Sequence, residues 1–132
     1  KFLKKKIKIK EFAYTVHKKI TNSRDINDKS VAKIIVGKNK NILFLSRSKI
    51  PTYVKNEKKD YYLSHHGIVA LPYKIIKAYK DLKNTKYQLA EDNEWLKIIE
   101  NGFTIKSYIY NKINSEINNL DDLKLYLTNV KK

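Results

Sequence analysis

The chain contains no cysteine and no methionine, and only three glycines, two prolines and two arginines among its 132 residues. Without cysteine there is no disulfide, no thiolate metal site and no cysteine nucleophile. That composition fits a reducing compartment, and a cytoplasmic location is expected. Opening on Lys1 with no Met anywhere, the sequence reads as one partial domain, residues 1–132, of a longer protein. No apolar run approaches the roughly 20 residues that span a bilayer, and no signal-peptide pattern is present. No membrane partner is expected. With 42% hydrophobic residues the chain can bury one modest core.

What is abundant is lysine. The net charge is +16, which invites a nucleic-acid reading because lysines neutralise phosphates and release counterions. Against it, base-edge readout leans on Arg, Asn and Gln, and the lysines are spread over most of the chain. Only Lys1 to Lys10 is locally dense. A basic nucleic-acid-binding module is therefore the minority expectation. Among the 13 acids, seven fall in two clusters: Glu91, Asp92, Glu94 and Glu100, then Glu116, Asp121 and Asp122. Such patches can hold a metal or a polar substrate, or simply complement helix N-termini.

Hydrophobic periodicity gives an α/β chain in which strands and helices interleave. A helix tail is expected over 2–10 and a short strand over 12–16. A polar connection follows over 21–29. Val31 to Val36 and Ile42 to Leu45 read as a hairpin around a longer loop, and 61–71 as another extended segment. Pro72 suits the first turn of a helix to about Leu82. A single helix from Gln88 to Glu100, with Leu89, Leu96 and Ile99 inward, should stop at Gly102. Phe103 to Ile109 alternates as a half-buried strand, and Asn118-Asn119 precedes a final helix near Leu120 as a credible cap. At the mouth of the second hairpin strand, Arg47 is one of two arginines in a lysine-rich chain. Its fork suits a grip on carboxylate or phosphate.

Four stretches, in order, carry a resemblance. Asn27 to Val36 (NDKSVAKIIV) runs into Leu43 to Pro51 (LFLSRSKIP). Leu63 to Val69 (LSHHGIV), Ala90 to Gly102 (AEDNEWLKIIENG) and Ile117 to Leu123 (INNLDDL) follow. Together they resemble the C-terminal half of the sugar cytidylyltransferases of the 3-deoxy-manno-octulosonate (CMP-Kdo synthetase) type. The resemblance implies the C-terminal portion of a Rossmann-like nucleotide-diphospho-sugar transferase sheet, and a homodimer. It also implies transfer of CMP from CTP to an acidic sugar with release of pyrophosphate, assisted by magnesium. The family's N-terminal cradle for CTP and its metal-binding aspartate have no counterpart here, so the chain alone is expected to be inactive and no catalytic residue is assigned within it.

Carried over residue by residue, the resemblance makes Arg47, His65 and Glu94 substrate-binding and Asn118 a magnesium ligand. Each has a plainer reading. Arg47 would be a strand-edge surface residue and His65 a satisfied, half-buried imidazole. Glu94 would pair with Lys97, and Asn118 would cap a helix. On a strand His65 and His66 point to opposite faces, so they do not easily share one metal ion. Trp95 stands where the family has Gln, Val69 where it has Tyr, Pro72 and Val54 where it has Arg. These departures leave open a non-catalytic relative that keeps the fold for assembly.

Overall fold

The computed structural model describes residues 11–54, 61–111, 117 and 120–130. Five strands, β1 (Ala13–Lys19), β2 (Lys33–Val36), β3 (Ile42–Ser46), β4 (Leu63–Ala70) and β5 (Ile105–Ile109), form one sheet in the order β3-β2-β4-β1-β5. All neighbours are antiparallel except β1 and β5, which run parallel. The sheet curls enough for its two ends to touch. Asn41, just before β3, bridges Lys106 of β5, and the Ser107 amide donates to the Lys40 carbonyl at 2.8 Å. Five helices complete the described chain: α1 (Ser23–Asn27), α2 (Tyr73–Tyr79), α3 (Lys86–Glu91), α4 (Glu94–Glu100) and α5 (Leu120–Val130).

Alternation of β-branched and aliphatic residues places Ala13, Ile34, Leu45 and Ile105 in one cluster. Ile75 of α2 and Leu96 and Ile98 of α4 cover it. Burying each aliphatic side chain of that cluster contributes about 1.5–3 kcal/mol before conformational entropy is subtracted. A smaller cluster, Ile20, Ile26 and Tyr62, holds α1 against the sheet.

The structure departs from the sequence reading in two places. The polar connection over 21–29 contains α1, capped by Asn22, whose Oδ1 accepts from the Asp25 amide at 2.7 Å. A strong cap suffices for one short turn of helix. The single helix from Gln88 to Glu100 is two helices. Asp92 adopts a left-handed backbone (φ 45°) and Asn93 restarts the helix by accepting from the Trp95 amide. In consequence Leu89, expected inward, is 65% exposed. Glu100 of α4 caps α3 from outside, accepting from the Gln88 amide at 3.0 Å and from the Thr85 hydroxyl. Gly102 (φ 85°) ends α4 as expected. The helix tail over 2–10 and the Asn118-Asn119 cap lie outside the described residues.

Candidate functional site

Two polar constructions are built on the sheet, one around Lys33 and Arg47 and one around Thr15 and His17. The first is charged. Lys33 opens β2 and is fully buried, yet each of its three ammonium hydrogens meets a backbone carbonyl: Asp28 at 2.7 Å, Val31 at 2.7 Å and Arg47 at 2.6 Å. Burial makes its ammonium easier to deprotonate than an exposed lysine, partly opposed by the nearby Asp28 carboxylate. Arg47, at the end of β3, spends its fork on carbonyls too. Nε donates to Glu91 O (3.1 Å), Nη2 to Asp92 O (3.1 Å), and Nη1 to Lys29 O (3.2 Å) and Ser30 O (3.5 Å). The Glu91 carboxylate answers from α3, accepting from the Ser46 hydroxyl at 2.7 Å and the Arg47 amide at 2.8 Å. In this structure, then, the Arg47 guanidinium ties the α3–α4 turn to the loop before β2. Glu91 and Glu100, two members of the first acidic cluster, likewise hold helices in place.

The second construction is built from imidazoles and hydroxyls. The chain's three histidines lie on adjacent strands, with His17 of β1 directly opposite His65 of β4 and Val16 opposite His66. Pairing breaks between Thr15 and Val16, which leaves Gly67 and Ile68 of β4 bulged. Thr15 satisfies that bulge. Its hydroxyl donates toward Ile68 O at 2.9 Å, shared with His66 O at 3.2 Å. Since a hydroxyl has one proton, His65 Nε2, 3.0 Å from the same oxygen, must be the donor between them. Beside it, His17 Nδ1 lies 2.7 Å from the Ser107 hydroxyl of β5. Burial, with Lys40 and His66 nearby, lowers the His17 pKa to about 4, so this imidazole is neutral at physiological pH.

The two constructions meet at α4. The Trp95 ring lies 6.0 Å from the His65 ring, tilted by 57°. Glu94, one residue earlier, is exposed at the start of α4, and its carboxylate makes no hydrogen bond or ion pair with any described residue. Lys97 does not pair with it but sits over the Tyr79 ring at 4.9 Å. His65 and Trp95 thus meet at one corner, with Glu94 the residue before Trp95 at the start of α4; Arg47 reaches α4 only through the backbone of Glu91 and Asp92, and Asn118 lies outside the described residues. No group of three or more His, Asp or Glu that could hold a metal occurs among the described residues. Sequence reasoning missed Lys33, Thr15, His17 and Ser107.

A separate apolar groove of about 410 Å³ opens where β2 and β4 part after their one paired position, Lys33 with Ser64. Ile34, Ile35, Val36, Pro51, Tyr53 and Leu63 line it. No helix among the described residues is long and apolar enough to cross a membrane.

No family model matches the chain. Individual relatives do. The chain is 30% identical over 112 residues to the 3-deoxy-manno-octulosonate cytidylyltransferase of Leptospira biflexa, covering 85% of this chain and 45% of that protein. To the same enzyme of Phocaeicola vulgatus it is 39% identical over 79 residues, 56% of this chain and 31% of that protein. Among solved structures, CMP:2-keto-3-deoxy-manno-octonic acid synthetase, complexed with CTP, superposes with a TM-score of 0.79 at 24% identity, covering 92% of this chain and 49% of that one. The inositol-1-phosphate CTP transferase of T. maritima gives a TM-score of 0.58 at 18% identity. The chain therefore resembles these cytidylyltransferases in sequence and shares their mixed α/β nucleotidyltransferase fold, while spanning less than half the length of the curated relatives named here.

Proposed function

We propose that the chain is the sugar-binding portion of a cytidylyltransferase that joins CMP from CTP to an acidic sugar of the 3-deoxy-manno-octulosonate class and releases pyrophosphate. The observation that supports this reading is the contact of the His65 ring with Trp95 of α4, the helix that Glu94 opens, in a fold shared with a CTP-bound relative. Each has a fitting chemistry. Glu94, with no protein partner among the described residues, accepts hydrogen bonds from sugar hydroxyls. His65 is held in one tautomer by Thr15 and faces the sugar with a fixed ring. Trp95 walls the corner and excludes water. The net charge of +16 draws an anionic acceptor and a nucleoside triphosphate toward the protein. In the reaction the sugar's anomeric hydroxyl attacks the α-phosphate, the bond from that phosphorus to the bridging oxygen breaks, and pyrophosphate leaves. Magnesium neutralises phosphate charge in such transfers, and Asn118 is the proposed ligand from this chain, an amide oxygen being hard enough for it. A homodimer in the cytoplasm belongs to the same reading.

The complete gene product, given CTP, magnesium and 3-deoxy-manno-octulosonate, should release pyrophosphate and form the CMP-sugar. A neutral hexose should support neither. Absence of release with every acidic sugar tried would favour the non-catalytic relative, a reading that Arg47's commitment to carbonyls keeps in play.

A further inference from the structure

Five consecutive backbone carbonyls, those of residues 28 to 32, each receive a donor from another part of the fold or from the buried Lys33 chain. Lys33 Nζ takes Asp28 and Val31, Arg47 Nη1 takes Lys29 and Ser30, and the His65 amide donates to Ala32 at 2.8 Å. This loop thus holds β4 at His65 through one link and the α3–α4 turn through another, by way of Arg47. The Glu91 carboxylate closes the circuit on the end of β3. From that circuit we infer that Lys33, Arg47 and Glu91 are positioning residues, which together fix the gap between His65 and the Glu94–Trp95 corner. The consequence for sugar binding rests on the function proposed above; the geometric part does not.

Packing alone does not account for the arrangement. A fully buried lysine gives up hydration and side-chain freedom, costs that an apolar side chain filling the same volume does not carry. What the ammonium supplies is direction. Three short donor contacts fix the loop relative to Arg47 O, and the guanidinium fixes the next turn relative to the loop. Asp92, held in its left-handed conformation beside that contact, sets where Asn93 caps α4 and so where Glu94 projects. A displacement of the corner by about 1 Å is enough to weaken a sugar contact severely.

Two variants test this in the complete gene product, with KM for the acidic sugar and KM for CTP measured separately. In Glu91→Gln one carboxylate oxygen becomes an amide that cannot accept from Ser46 or from the Arg47 amide. KM for the sugar should rise about tenfold while KM for CTP stays within about twofold. Lys33→Ala should do the same. Added ammonium ion, which can re-enter the cage of three carbonyls, should restore it, and tetramethylammonium, which has no donor, should not. If Lys33→Ala does not fold, Glu91→Gln decides. Unchanged sugar KM in a cooperatively folded Glu91→Gln protein overturns the inference, as does an equal loss for both substrates. Should the wild-type protein take no acidic sugar, the functional reading fails instead. The positioning claim is then read from the indole NMR signal of Trp95, the one tryptophan of this chain. Glu91→Gln must move it, and an unmoved signal overturns the inference.

Discussion

At the β3 end of the sheet the chain buries charge, whereas along β1 and β4 it buries imidazoles and hydroxyls that bond to one another and to the backbone. Both regions are polar, but they are satisfied differently. Around Lys33 and Arg47 the cations meet backbone carbonyls, with Glu91 the only carboxylate drawn in. Around Thr15 and His17 the contacts run between hydroxyls, imidazole nitrogens and two backbone carbonyls. A missing donor in the first region strands several carbonyls at once, and in the second only one contact or two. The charged region should therefore be the more fragile to substitution and the imidazole region the more sensitive to acid.

The largest effect should come from Lys33→Met, which keeps volume and removes three donors at once. Each buried carbonyl left without a partner costs about 1–3 kcal/mol; with some water entry the total should be on the order of 3 kcal/mol in urea denaturation. A loss below about 1 kcal/mol would mean that the carbonyls find other partners and that the contrast is false. Thr15→Val should cost less, about 1–2 kcal/mol, because the bulge carbonyls of His66 and Ile68 share one hydroxyl. It should also release the His65 tautomer, visible as a change in the ring nitrogen shifts.

Acid sharpens the same comparison. The folded His17 pKa, about 4, lies below the ordinary 6.5. Above pH 6.5 the imidazole is neutral in both folded and unfolded chains, and folding carries no penalty from it. As pH falls from 6.5 toward 4 the unfolded chain takes up a proton that the folded chain refuses, so stability drops. His17→Gln should flatten that limb relative to wild type in denaturation curves recorded across this window. Equal slopes would show that His17 gains its proton without unfolding. The smallest effect should be Leu89→Lys on α3, within about 0.5 kcal/mol by the same denaturation assay, since the side chain is 65% exposed.

How much of this was legible follows from the same contrast. The strands announced themselves by alternation, and Gly102 marked the end of α4. The break at Asp92 was hidden because Gln88 to Glu100 keeps helical spacing throughout. The only local signal was Asn93 before an acid, a cap pattern overridden by the longer period. Arg47 stood out correctly as unusual, but the sequence could not show that carbonyls rather than a ligand would face its fork, because those carbonyls come from residues 29, 30, 91 and 92. Lys33 was masked by its own abundance: in a chain with 29 Lys+Arg, one more lysine says nothing about burial. The pairing of His17 with His65 depends on the bulge at Gly67, which no pattern in β4 predicts.

The sugar corner itself is open to one direct observation. Isotope-labelled protein titrated with 3-deoxy-manno-octulosonate should show backbone and side-chain NMR shifts centred on His65, Glu94 and Trp95. The resonances of Ile35 and Tyr53 in the apolar groove should stay where they are. Shifts confined to that groove or scattered over the surface lysines, with His65 and Glu94 unmoved, would contradict the assignment of this corner to the sugar.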